Sequence, residues 1–194
     1  MRQFQEKYAA QLITKDGIFD YLYGVLHAAD FRAAFPNALS RELARIPLAK
    51  DFQAFADAGA ELARLHLGYE TGPEYPLELQ FKGDGTPSSK HFRIGAKKMK
   101  FTDKSRGTLK INDHVSIAGI PPEAHQYQVN GRTPIEWFID RYHVKTDKKS
   151  GILNDPNAWF KDPYDLVRAF RRITHVSVET VRISNELPSS IPNS

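Results

Sequence analysis

The chain has 194 residues, with 27 Lys+Arg against 23 Asp+Glu for a formal charge of +4, and it is 41% hydrophobic and 26% charged. That is ordinary globular composition at a length that buries a core without staples. Cysteine is absent, which excludes disulfides, thiolate nucleophiles, iron–sulfur clusters and sulfur-ligated zinc. No apolar run reaches the ~18 residues of a membrane span and MRQFQEKYAAQLITKD is too polar for a signal peptide, so the expected location is the cytoplasm, with no membrane partner.

Residues 1–15 are expected to be a linker or the end of a preceding module. Ile18, Tyr21, Leu22, Val25 and Leu26 then follow the i, i+3, i+4, i+7, i+8 spacing of an amphipathic helix, with Asp16 as N-cap. A short helix is predicted over 29–34, and two or three helical turns between Pro36 and Pro47. Phe52, Phe55, Gly59, Leu62 and His66 form a further helical stripe from Asp51 to about Tyr69, stopped by Gly72 and Pro73.

After residue 75 the period changes from 3.6 to 2. Leu77, Leu79 and Phe81 alternate with polar neighbours, as do Phe92, Ile94 and Ala96, and then Leu109, Ile111, Val115 and Ile117. Met99 and Phe101 fall out of phase, which predicts a β-bulge near Lys97 and Lys98. Tyr127 and Val129 add a short strand before Asn130-Gly131. The block reads as a mainly antiparallel sheet with one basic face.

Helical signals return with Thr133-Pro134-Ile135-Glu136, a capping box with proline at the first helical position. Ile135, Phe138, Ile139 and Tyr142 supply its buried stripe. A polar loop follows, and Asp162-Pro163 starts a last helix; the β-branched stretch 175–183 can also be read as a strand, but a helix continued to just before Pro188 is favoured, leaving 189–194 as a frayed tail. Trp137 is expected in the core, Trp159 in the core or, as the lesser alternative, on a base-stacking surface, and His66 reads as a satisfied core histidine.

The charge is uneven. Residues 1–75 hold 8 basic and 10 acidic side chains, residues 76–150 hold 14 and 8, and residues 151–194 hold 5 of each. Over 82–110, nine cations meet only Asp84 and Asp103, and such a local field attracts polyanions. The loop 145–157 combines Lys145, Lys148 and Lys149 with Ser150-Gly151 and Asn154/Asn157. It reads equally as a phosphate-facing loop and as an Asx-turn that anchors the last helix.

Catalytic motifs are missing. There is no dinucleotide or triphosphate cradle, no nucleophile elbow, and no Asn/Asp-Pro-Pro-aromatic tetrapeptide of an adenine methyltransferase. Gly17-Ile18-Phe19 and Tyr21-Leu22-Tyr23-Gly24 resemble GIY-YIG nuclease motifs. Those lie on two strands of a hairpin, whereas here one helical stripe covers both. The seven histidines show no metal-ligand spacing. Glu74, Glu78 and Lys82 fit a metal-dependent nuclease only with Gln80 standing where a lysine is needed.

The segments GIFDYLYGVLHAADFR (17–32), LARIPL (43–48), FADAGAELARLHLGYE (55–70), TPIEWFIDRYHVKTDKKSGILNDPN (133–157) and VSVETVRISNELP (176–188) resemble the C-terminal target-recognition region of type ISP restriction–modification enzymes. One departure is Ala44, where proline is expected. The resemblance implies a chain without catalysis or cofactor of its own. It also implies a larger polypeptide with a nuclease, a helicase-like ATPase and an adenine N6-methyltransferase, using S-adenosylmethionine, ATP and Mg. The implied partners are double-stranded DNA and the methyltransferase module.

The sequence thus reads as an α+β domain over 16–188: a helical scaffold at 16–70, the basic sheet block at 71–131, and a second helical scaffold at 132–188. The resemblance is weakest over 71–131, where a specificity domain should vary. Lys97, Lys98, Lys100, Lys104, Arg106 and Lys110 are the main phosphate candidates, with Lys145, Lys148 and Lys149 a second group. Arg93, Asn112, His114, Gln126 and Gln128 are candidates for base edges, because carboxamides suit adenine and arginine suits guanine. The rivals are a small metal-dependent nuclease using Glu74, Glu78 and Asp113, and a docking domain for the methyltransferase.

Overall fold

The helical stripes become helices because each pairs an apolar face with a capped start. In the computed structural model, which describes residues 1–35 and 45–191, the chain divides into two units, Met1–Gly68 with Glu179–Ser194, and Tyr69–Val178. The turns expected between Pro36 and Pro47, and Ala44, lie mostly or wholly outside the described residues.

The first unit contains α1 (Arg2–Lys7), α2 (Lys15–His27), α3 (Ala29–Ala34) and α4 (Phe52–Leu67). The N-cap of α2 is Thr14, not Asp16. Thr14 is extended, and its hydroxyl accepts from the Gly17 N–H at 3.0 Å. Asp16 sits in the first turn, where its charge meets the positive end of the helix. Asp51 caps α4 through the Ala54 N–H at 3.0 Å. The helix ends at Leu67, before Gly72.

Two glycines bring α2 and α4 together. A Cβ at Gly24 would lie 2.2 Å from the Phe55 carbonyl oxygen, and one at Gly59 would lie 1.7 Å from that of Asp20. The core beside them is aromatic. Tyr21 stacks on Phe52 at 5.1 Å, its hydroxyl donates to Pro47 O and accepts from Ala49 N, and the Tyr8 hydroxyl donates to Ala49 O at 2.6 Å. The segment 1–15 therefore contributes to this core, through Phe4, Tyr8 and Ile13. The tail is held as far as it is described: Asp30 accepts from the Ser190 N–H and hydroxyl at 2.7 Å each, and Ser190 is fully buried.

The second unit holds a sheet of β1 (Glu78–Phe81), β2 (Lys100–Phe101), β3 (Thr108–Lys110) and β4 (Val115–Ala118), antiparallel throughout in the order β1-β4-β3-β2. Leu109, Ile111, Val115 and Ile117 are buried. They pack with Ile135 and Phe138 of α5 (Pro134–Arg141) and with Leu166, Val167 and Phe170 of α6 (Asp165–Glu186). The capping box of α5 is complete: Thr133 Oγ1 accepts from Glu136 N and Glu136 Oε2 accepts from Thr133 N. The sheet block and the helices after it thus share one core. The last helix is continuous to Glu186, so the β-branched stretch 175–183 is helical and not a strand.

Three strand expectations are corrected. Residues 93–99 form no strand. Phe92 and Ile94 are buried, but the backbone around them is held by side-chain amides. Asn157 donates to Ile94 O and accepts from Ile94 N, and Asn112 donates to His91 O and Arg93 O. Without a ladder on both sides there is no bulge at Lys97 and Lys98; the chain bends there before β2. Tyr127 and Val129 give only an isolated bridge, Val129 with Arg132, closed by Asn130 (φ 52°) and Gly131 (φ 74°) in the left-handed turn that a two-residue connection favours.

Candidate nucleic-acid interface

Four of the expected phosphate contacts converge. Lys97, Lys98, Lys100 and Lys110 line one open hollow of about 370 Å³, together with Asn112 and Asp113. The register explains the meeting. Lys100 pairs with Lys110 across β2 and β3, and the bend before β2 brings Lys97 and Lys98 to the same place. Adjacent lysines repel one another in the folded chain, and an oxyanion between them removes that repulsion.

Two of the four are already paired. Lys98 donates to Asp140 on α5, and Lys110 donates to Asp113 at 2.7 Å. These contacts hold both carboxyls below the usual carboxylate range. Lys97 and Lys100 make no ion pair among the described residues.

Asn112 holds the turn between β3 and β4. Its amide donates to the His91 and Arg93 carbonyls, and its Oδ1 accepts from the N–H groups of His114 and Val115. Every polar site of the side chain serves the fold, so reading a base would mean giving up these bonds. The neighbouring His114 is exposed, with its ring 5.3 Å from that of His91. Arg93 is exposed. Gln126 and Gln128 are exposed further along the chain and do not line the hollow.

The remaining cations divide by role. Arg106 bonds Glu136 at 3.0 Å and covers the Phe101 ring at 4.5 Å, which ties the β2–β3 connection to α5. Lys104 is exposed in that connection, a loop held by Asp103, whose carboxylate accepts from the Gly107 and Thr108 N–H groups. Lys145 begins the two-residue hairpin β5 (Lys145–Thr146) and β6 (Leu153–Asn154). In its turn, Asp147 accepts from the Lys149 N–H, the Ser150 N–H and the Ser150 hydroxyl. The Asx-turn expected at 145–157 is formed, and Asp147 already takes the Lys149 and Ser150 N–H groups; the ammonium groups of Lys145, Lys148 and Lys149 are exposed.

The nuclease triad does not assemble. Glu74 lies 3.7 and 3.6 Å from Arg171 and Arg172. Glu78 pairs with Ala118 at one end of β1–β4, while Asp113 lies beyond the other end, where Phe81 pairs with Val115. Among the described residues no three His, Asp or Glu side chains are grouped to hold a metal. The GIY-YIG-like residues lie in one helix, α2.

The two tryptophans are exposed rather than core: Trp137 at 41% and Trp159 at 42%, covered by Arg132 and Arg141 at 4.5 and 4.6 Å. A guanidinium on one face lets an indole stay at the surface, which sequence periodicity does not register. The sequence also gave no sign of Asp140, because its pairing with Lys98 spans 42 residues.

The geometry is thus a lysine-lined hollow beside the β3–β4 turn of an antiparallel sheet. The sequence signature of the Type ISP C-terminal specificity domain matches residues 1–169, and the chain belongs to that family. It is similar to part of a nuclease-deletion mutant of the Type ISP restriction-modification enzyme LlaGI in complex with a DNA substrate mimic, at 38% identity over 91% of this chain with a TM-score of 0.78. It is likewise similar to part of the ATP-dependent Type ISP enzyme LlaBIII bound to DNA (32%, 97%, 0.81) and of the DrdV–DNA complex (30%, 97%, 0.81). The chain spans only 16%, 12% and 19% of the lengths of these three. No curated protein matches it. No described helix is long and apolar enough to cross a membrane.

Proposed function

We propose that this chain is the target-reading module of a Type ISP restriction–modification enzyme: it binds double-stranded DNA sequence-specifically and carries out no chemistry itself. The observation that carries the reading is the convergence of Lys97, Lys98, Lys100 and Lys110 on one hollow beside the β3–β4 turn, in a family of specificity domains. Phosphates fix the register at such a cluster, and side chains at its rim meet base edges. Lys97, Lys98, Lys100, Lys104 and Lys110 take the phosphate role, with Lys145, Lys148 and Lys149 as a second group. Arg93 and His114, and, away from the hollow, Gln126 and Gln128, are the readers, and Arg106 and Asn112 act as positioning residues. The nuclease, helicase-like ATPase and adenine N6-methyltransferase belong to the rest of the enzyme, together with S-adenosylmethionine, ATP and Mg. The methyltransferase module is the protein partner, and the cytoplasm the place of action. The DNA-bound state of the three similar enzymes supports DNA as the ligand.

The test is duplex affinity between 50 and 200 mM salt. The four lysines of the hollow contribute about −3.6 to the log–log slope, at about −0.9 each, beside the share of Lys104 and the 145–149 group. Lys97, Lys98 and Lys100 changed together to alanine should flatten the slope by about 2.7, with the fold intact by circular dichroism. A salt-independent affinity, or an unchanged slope in the triple variant, contradicts the assignment.

A further inference from the structure

We propose that Asp113 and Asp140 form an electrostatic gate on the lysine hollow: they occupy Lys110 and Lys98 in the free protein and must be displaced before DNA phosphates take those lysines. This rests on the function proposed above and names how that site is regulated. The two pairs come from different elements. Lys110 and Asp113 flank the β3–β4 turn, with the ammonium 2.7 Å from Asp113 Oδ1. Lys98 reaches across to Asp140 on α5, a carboxylate that Arg132 also approaches at 3.6 Å. Of the four ammonium groups lining the hollow, two are thus engaged and two, Lys97 and Lys100, make no ion pair among the described residues.

The arrangement has a consequence for discrimination. A phosphate entering the hollow meets two lysines directly, Asp113 in the lining, which repels it, and Lys98 already held by Asp140 from outside the lining. Partner exchange at Lys98 and Lys110 happens only where the rest of the contact surface holds the backbone in place. Where base contacts are absent, the carboxylates remain and the phosphate is held by fewer cations. The gate therefore weakens binding to arbitrary sequence more than binding to the target, which is how a repulsive element buys specificity. Both carboxylates are exposed enough to swing away, Asp113 at 77% and Asp140 at 39% side-chain exposure. Both side chains are acceptors of a single lysine bond apiece apart from the Arg132 approach, so neither carries the fold in the way Asn112 does.

The experiment uses the 194-residue chain and random-sequence duplex DNA, with Asp113→Asn, Asp140→Asn and the double variant measured from 50 to 200 mM salt. Each single variant should bind about two- to fivefold more tightly, the value of one exposed ion pair. The log–log slope should steepen by up to about 0.9 per lysine released. A Lys98→Met background should abolish the effect of Asp140→Asn and leave that of Asp113→Asn, since only a coupled pair behaves so. Salt-dependent binding by the unaltered chain with no tightening in the variants overturns the gate alone. Equal effects of Asp140→Asn with and without Lys98 also overturn it. Absence of salt-dependent binding by the unaltered chain overturns the gate and the DNA-reading function together.

Discussion

The two units solve the problem of fixing a backbone in different ways. In the helical unit, position is set by steric closeness: Gly24 and Gly59 let α2 and α4 approach where any Cβ would strike a carbonyl oxygen, and stacked Tyr21 and Phe52 fill the space beside them. In the sheet unit, the strands are two to four residues long, and long stretches between them are held by single side chains: Asn112, Asn157, Asp103 and Asp147. Close packing leaves little room to vary a sequence. A loop tied at one or two amide groups keeps its course while the residues between the ties change, which suits the target-reading role proposed for this surface.

Substitutions at the two kinds of anchor should separate them most. Gly59→Ala places a Cβ against the Asp20 carbonyl and should cost about 3 kcal/mol or more, whereas Asn157→Ala leaves the Ile94 N–H and carbonyl without partners and should cost about 1–3 kcal/mol. Urea unfolding followed by far-ultraviolet circular dichroism gives both values. An Asn157→Ala variant as damaged as Gly59→Ala would erase the distinction between steric and amide-held regions.

Acid should act on the helical unit by a smaller amount. Burial, with nearby His27, pushes His66 down to about 4, and its two ring nitrogens are bonded to Tyr23 and Thr180. The unfolded chain binds a proton near the ordinary histidine pKa of about 6.5, and the folded chain does not until about 4, so this stability is complete above 6.5 and is lost as the pH falls from there toward 4. Water still reaches part of the ring, which brings the loss to about 1–2 kcal/mol. His66→Gln should show a shallower decline over the same range in urea titrations at successive pH values. An identical decline would place the acid sensitivity elsewhere.

Legibility in the sequence followed the same division. The amphipathic helices 15–27, 52–67 and 134–141 were plain from their period, with the cap in agreement at the last two and two residues earlier than expected, at Thr14, in the first. The β3–β4 pair was plain from the parity of Leu109, Ile111, Val115 and Ile117. The strand expected over 92–96 alternates correctly, since Phe92 and Ile94 are buried and Arg93 is exposed, yet it pairs with nothing: alternation reports burial, and the hydrogen bonds went to amides 19 and 63 residues away. Of the site, the lysines were visible as a charge run. Their carboxylate partner Asp140 was hidden by sequence distance, and Asn112 was visible as a polar residue at a strand end without any sign that the fold consumes all its bonding capacity. The first fifteen residues looked like a linker because their apolar residues, Phe4, Tyr8 and Ile13, are too few and too widely spaced to show a period.

The central claim is that DNA lies against the lysine hollow of the sheet unit and not against the helical unit. Backbone amide exchange, measured on the 194-residue chain with and without duplex DNA at 50 mM salt, tests it directly. The account predicts slowed exchange over 95–100 and 110–115, with α2 and α4 unchanged. Protection confined to α2 and α4, or to the 145–157 hairpin with none at the hollow, would contradict it.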